Sequence, residues 1–220
     1  MADVTQPAAL GLRERKKENT RQLIAETARR LFAERGFDRV TVAEIARAAE
    51  VSEQTVFNYF PTKEDLVYWR LGDFEEELLA TIREREPGEP ALAAFRRFLL
   101  AQRGLLGRVD VAARQQLAAL TRVITHSPAL IAREQQILAG YTASLARLLA
   151  EEHGARADDI EPWVAAHAMM GIHRSLVHYT RRRILEGEHH SRLERDVRAR
   201  AERAFTLLEH GLGDYAIKGK

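Results

Sequence analysis

Residues 41–65, Thr-Val-Ala-Glu-Ile-Ala-Arg-Ala-Ala-Glu-Val-Ser-Glu-Gln-Thr-Val-Phe-Asn-Tyr-Phe-Pro-Thr-Lys-Glu-Asp, constrain the fold more than any other stretch of the chain. Thr41 followed by Glu44 is a capping box, and Ser52 is a second helix cap close behind it. Between the caps, Val42, Ile45 and Ala46 give one short helix an inner face, ending near Ala49 and leaving Glu50-Val51 as the turn. Val56, Phe57 and Phe60 are the apolar anchors expected of a second short helix that runs to Phe60. Pro61 forbids its continuation and drives Phe60 out of the helical region. Two short helices around a tight turn, with a hard stop behind them, make a helix-turn-helix. In that motif the second helix presents side chains to base edges in the major groove of double-stranded DNA.

Helix signals continue through nearly the whole chain, and alternating strand patterns and hairpin dipeptides are missing, so the expected class is all-α. Residues 1–12 read as a disordered tail. A first helix is expected from Glu18 to Arg35, with Leu23, Ile24, Ala28, Leu31 and Phe32 as its inner stripe and Gly36 as its stop. Thr62 with Asp65 caps a long fourth helix through Arg85, and Pro87-Gly88-Glu89-Pro90 breaks the chain behind it. Further helices are expected at about 90–104, 110–126, 128–152, 158–186 and 191–212, nine in all. The domains expected are a helix-turn-helix domain over 13–66 and a second helical domain over 67–220.

The chain carries 34 basic against 32 acidic residues, so any affinity for nucleic acid must come from a local patch. It has no cysteine, which excludes disulfides and sulfur-built zinc sites. No apolar run approaches the roughly 20 residues of a membrane span, and no signal-peptide core is present, so a cytoplasmic protein without membrane attachment is expected. No nucleophile elbow, phosphate loop or dinucleotide turn occurs, and His167, His173 and the adjacent His189-His190 do not share a metal-binding face. Neither an enzyme nor a cofactor is expected.

Over residues 18–66 the sequence resembles the DNA-binding domain of the TetR family of bacterial repressors. The features that carry the resemblance are Leu31-Phe32-Ala33-Glu34-Arg35-Gly36-Phe37, Thr41 to Ala46, Val51-Ser52, Thr55-Val56-Phe57 and Tyr59 to Leu66. The resemblance implies a nine-helix architecture, an N-terminal three-helix DNA-binding domain and a C-terminal domain for ligand binding and dimerisation. It further implies a repressor released from its operator by a small molecule. The sequence departs from the family pattern at Glu50, where glycine is usual. Glu50 is therefore expected in a left-handed or bridge conformation, costing on the order of 1 kcal/mol.

Within the motif, Gln54 can pair bidentately with adenine, and Asn58, one turn later, faces the same groove. Glu53 either accepts from cytosine or serves the helix dipole. Thr41, Ser52, Thr55, Tyr59 and Lys63 are candidates for phosphate contacts, with Thr41 and Ser52 also explained as caps. Arg13, Arg15, Lys16, Lys17 and Arg21 form either a DNA-reaching arm or a solvated helix start.

In the second domain the candidates for an effector cavity are Phe98, Gln102, Leu120, Ile124, Tyr141, Trp163, His167, Met170 and His173. Leu176, Ile184, Val197, Ala201, Phe205 and Leu208 lie on apolar stripes of the last two helices. Paired with a second copy, those helices form a four-helix bundle, the interface expected of a homodimer on a palindromic operator. Two alternatives stay open: a DNA-binding protein without a small-molecule effector, controlled by a protein partner or architectural, and a helical enzyme bearing the motif by accident.

Overall fold

The computed structural model describes residues 11–69, 71–101, 111–188 and 190–211. Among them the chain forms ten helices and no strand: α1 Leu12–Arg35, α2 Val42–Ala48, α3 Glu53–Tyr59, α4 Asp65–Tyr68, α5 Leu71–Arg83, α6 Ala91–Leu100, α7 Val111–Thr125, α8 Pro128–His153, α9 Glu161–Leu185 and α10 His190–His210. The chain divides into two compact units, one up to Trp69 and one from residue 70 onward.

Two expectations about helix limits are corrected. The first helix begins at Leu12, six positions before Glu18, with the Gly11 amide donating to the Glu14 carboxylate at 3.2 Å. Its opening turns carry exposed Arg13, Arg15, Lys16 and Lys17, so this basic stretch is helical rather than a loose arm. The expected fourth helix is two, α4 and α5, with Trp69 between them and residue 70 outside the described residues. The Thr62–Asp65 capping box nevertheless forms, at 3.0 and 3.3 Å, one turn ahead of α4.

The first unit packs α1 to α4 around Ile24, Ala28, Phe32, Phe37, Val40, Ile45, Val56, Phe60 and Leu66, all buried. Leu23 is exposed. It lies about 100° around the helix from Ile24, on the side away from Ala25 and Phe32. The second unit centres on α8 and α9, with α5, α6, α7 and α10 against them. Leu78, Ile82, Phe95, Leu130, Leu145, Ala166, Met170 and Phe205 are among its most deeply buried side chains.

Candidate functional site

The turn of the helix-turn-helix is set by backbone bonds. Val51 N–H donates to Ala46 C=O at 2.9 Å and Glu50 N–H donates to Arg47 C=O at 3.2 Å, the paired pattern of a Schellman stop. The residue between must take a left-handed backbone, and Glu50 does, at φ 56°. Ahead of the turn, Thr41 Oγ1 accepts from Glu44 N–H at 3.2 Å while the Glu44 carboxylate accepts from Thr41 N–H at 2.8 Å. Arg35, in the last turn of α1, also donates to Glu44 at 2.7 Å. These bonds, led by the Thr41 amide, pull the Glu44 pKa down to about 2. Behind the turn, Ser52 Oγ accepts from Thr55 N–H at 3.0 Å and sits 2.8 Å from the Thr55 hydroxyl. Phe60 is extended (φ −136°), as the following proline demands.

This framework turns α3 so that Val56 is buried and Glu53, Gln54, Phe57 and Asn58 are exposed. Gln54 Nε2 donates to Asn58 Oδ1 at 3.1 Å, so the two expected base readers hold each other. Phe57 is not an apolar anchor of the core: it is 45% exposed, because Val56 and Phe60 already supply the buried face. Thr41 and Ser52 are exposed at their helix starts, while Thr55 and Tyr59 are half-buried.

Lys63 is turned into its own unit. Its Nζ donates to Phe37 C=O at 2.7 Å and stands 4.1 Å from the Phe37 ring centroid, and burial lowers its pKa. One of its three N–H groups is thereby committed to the fold. Arg21 is similarly engaged, donating to Trp69 C=O at 3.3 Å beside the Phe60 and Trp69 rings.

In the second unit the expected cavity residues separate. Tyr141, Met170 and His173 are buried, and Phe98 is half-buried beside them. Phe74 gathers this group, with ring centroids 5.1 Å from Phe98, 5.9 Å from Tyr141 and 4.7 Å from His173. Tyr141 donates its hydroxyl to Leu71 C=O, and burial raises its pKa. His173 Nδ1 is buried with no hydrogen-bond partner among the described residues, and desolvation lowers the ring's pKa to about 4.

Trp163 and His167 do not join this group. Trp163 is 47% exposed and His167 is exposed, their rings 6.4 Å apart on the outer side of α9. The inner side of α9 is supplied instead by Pro162, Ala166, Met169, His173, Leu176 and Thr180. Leu120 is half-buried, and Gln102 lies outside the described residues.

A pocket of about 470 Å³ opens elsewhere, between α7, α8 and α9. Ile124 alone among the expected residues lines it; Ile131, Leu138, Arg174, Val177 and His178 are lining residues the sequence reading missed. The available signal was the four-residue spacing of Arg174, His178 and Arg182 along one face of α9.

The expected dimer residues need a correction of the same kind. Leu176, Val197, Ala201 and Phe205 are buried inside the protomer, with Phe205 6.1 Å from Phe95 of α6. Ile184 and Leu208 pack half-buried on that same core. The apolar stripe of α10 is real, but Val197, Ala201 and Phe205 commit it to the protomer's own core, and only Leu208 of the expected α10 residues keeps part of its surface.

A family model described as bacterial regulatory proteins, tetR family, matches residues 24–68. A second, described as the MftR C-terminal domain, matches residues 89–213, more than half of the chain. The chain belongs to the TetR family. Among its TetR relatives, the HTH-type transcriptional regulator TcmR of Streptomyces glaucescens is 32% identical over 158 residues, covering 70% of this chain and 69% of the relative. The putative mycofactocin biosynthesis transcriptional regulator MftR of Mycobacterium tuberculosis is 29% identical over 168 residues, covering 72% and 78%. The fold is also that of NalD, the secondary repressor of the MexAB-OprM efflux pump in Pseudomonas aeruginosa, at TM-score 0.57 and 22% identity over 86% of this chain and 96% of that one. As a TetR protein, the chain is a DNA-binding transcriptional regulator, and its named relatives are regulators rather than enzymes. No helix among the described residues is long and apolar enough to cross a membrane.

Proposed function

We propose that the protein is a homodimeric repressor that holds a palindromic operator and leaves it when a small, mainly apolar molecule binds the second unit. The observation that carries the DNA half of this reading is the exposed face of α3, where Glu53, Gln54 and Asn58 stand clear of the core on a helix fixed at both ends. Gln54 and Asn58 read base edges, and Glu53 either joins them or serves the helix start. Thr41, Ser52, Thr55, Tyr59 and the remaining donors of Lys63 take phosphates. The domain assignment follows the same reading: residues 13–66 bind DNA and residues 67–220 bind effector and partner. With most of the α10 stripe buried, the partner face is assigned to the outer side of the start of α9, where Val164 (60%) and Trp163 are exposed beside the capping Ile160 (68%).

Support for an effector comes from the pocket between α7, α8 and α9, whose volume lies in the range of small-molecule sites. Apolar walls from Ile124, Ile131, Leu138, Val177 and Leu185, beside a polar side that includes Arg174, His178 and the Glu134–Arg181 pair, suit a mainly apolar molecule with a polar end. This favours effector control over control by a protein partner alone. Release requires that the effector bind the DNA-incompetent state more tightly than the competent one.

The test is selection of duplexes from a random library by the full-length protein. An enriched inverted repeat, with half-site centres about 34–36 Å apart or a multiple of that, is the expected result. Failure to enrich any sequence at moderate salt refutes the repressor reading.

A further inference from the structure

We propose that Phe57 is a specificity-determining residue: its ring packs against the 5-methyl group of one thymine in each half of the bound DNA site. The proposal rests on the DNA-binding reading of α3 and adds a readout that the polar residues cannot supply.

Glu53, Gln54, Phe57 and Asn58 are spaced i, i+1, i+4 and i+5, so they form one continuous strip on α3, and all four are exposed. Phe57 is the apolar member of that strip. Its ring makes no aromatic contact among the described residues, and the adjacent Val56 is fully packed. Phe57 keeps 45% of its surface exposed on this strip, while Val56 and Phe60 close the core beneath it.

The chemistry narrows the occupant. A phenyl ring neither donates nor accepts a hydrogen bond, so it contributes nothing to a phosphate or to the polar edges of guanine, cytosine or adenine. The thymine 5-methyl is the apolar group that the major groove displays, and a phenylalanine side chain meets it by van der Waals contact. Insertion between base steps is a minor-groove device. Phe57 shares one exposed strip of α3 with Gln54 and Asn58, and a helix in the major groove carries such a strip to base edges.

The experiment uses the full-length protein and the duplex it selects. Each thymine is replaced singly by deoxyuridine, which removes the methyl and leaves every hydrogen-bonding group in place. Affinity is measured by fluorescence anisotropy at fixed salt. For the unsubstituted protein, one position per half-site is expected to lose about fourfold in affinity, equivalent to the ~0.8 kcal/mol of one buried methyl group. Phe57→Ala is expected to bind thymine and deoxyuridine equally well at that position, whereas Phe57→Leu keeps part of the preference. Phe57 is 45% exposed, so melting is recorded for both variants and affinities are compared as the thymine-to-deoxyuridine ratio within each protein, which a loss of stability does not move. A duplex in which no thymine methyl matters overturns the proposal alone. So does a sensitive position that stays equally sensitive in Phe57→Ala. If no duplex is selected at all, the DNA-binding reading falls and this proposal with it.

Discussion

Replacing Glu50 with glycine should stabilise the helix-turn-helix. Three helices end on the same pair of backbone bonds. After α8, Ala155 N–H reaches Ala150 C=O at 3.0 Å and Gly154 N–H reaches Glu151 C=O at 3.4 Å. After α9, Glu188 and Gly187 repeat the pattern on Arg183 and Ile184 at 3.0 and 3.1 Å. The pivotal residue has φ 59° at Gly154, 80° at Gly187 and 56° at Glu50. The geometry is shared, but only the turn of the DNA-binding motif carries a side chain there. A left-handed backbone costs an L-residue about 1–2 kcal/mol. Glycine's greater freedom in the unfolded chain offsets roughly 0.4–1 kcal/mol of that relief. The Glu50 side chain is exposed and makes no hydrogen bond or ion pair among the described residues, so its removal loses nothing else, and the backbone bond to Arg47 C=O stays in place. The net gain is about 0.5–1 kcal/mol, and 1 kcal/mol moves the melting of a unit this small by roughly 4–8 °C. The chain has two tryptophans, buried Trp69 in the first unit and exposed Trp163 in the second. A Trp163→Phe background therefore makes Trp69 fluorescence the reporter of the first unit during urea or thermal unfolding. Glu50→Asn should fall between parent and glycine variant, and Glu50→Val should lie below the parent. Gly154→Ala should show the reverse effect, losing about 1 kcal/mol. If Glu50→Gly leaves the Trp69 transition unmoved or lowers it while Gly154→Ala destabilises, the strain argument at Glu50 is wrong.

Three further predictions follow from the site. Lys63→Met keeps the aliphatic stem but loses the bond to Phe37 C=O, and should lower the stability of the first unit by about 1–2 kcal/mol in the same fluorescence assay. If its remaining donors also reach a phosphate, the salt slope of DNA binding drops by about one, whereas an unchanged slope assigns Lys63 to the fold alone. His173 stays neutral in the folded protein down to about pH 4, while the unfolded ring binds a proton below its ordinary value of 6.5. The unfolded state therefore holds more protons across that window, and stability should fall by roughly 3 kcal/mol as pH drops from 6.5 to 4. Its neighbours are Phe74, with Glu134 raising and Arg181 lowering the pKa, so His173→Phe should flatten the urea midpoint against pH over this range. Gln54→Ala should relax preference at one base pair. Combined with Asn58→Ala, it should show a coupling of about 0.5–1 kcal/mol on duplexes varied one pair at a time.

Local rules carried the first unit far. The caps at Thr41, Ser52 and Thr62, the stop at Gly36 and the positive φ at Glu50 each depend on a few adjacent residues, and each can be read without knowing what packs above. The start of α1 is not legible because residues 13–17 are charged helix formers that give no apolar period. The break after α4 was missed because apolar positions continue through it. The larger errors share one cause. Periodicity tells which side of a helix is apolar, not what covers it. Val197, Ala201 and Phe205 form the expected stripe, yet it closes on the protomer's own α6 and α9. Trp163, His167 and Phe57 are large or aromatic, which suggests an interior place, but the inner positions beside them are already filled. The pocket was invisible for the complementary reason: its walls come from three helices, and no one segment announces them.

If Gln54 and Asn58 read bases as proposed, the bond between them bears on how wrong sequences are refused. In the free protein each of these side chains already satisfies part of the other, so an approaching base pair must first undo that arrangement. A matching edge replaces one exposed bond with two at each amide, whereas a mismatched edge replaces it with one or none. The threshold a sequence must clear is thus set before DNA arrives, by the resting state of the helix. Discrimination can then be tuned from either side: by the operator, or by any change that loosens or tightens two side chains one helical turn apart.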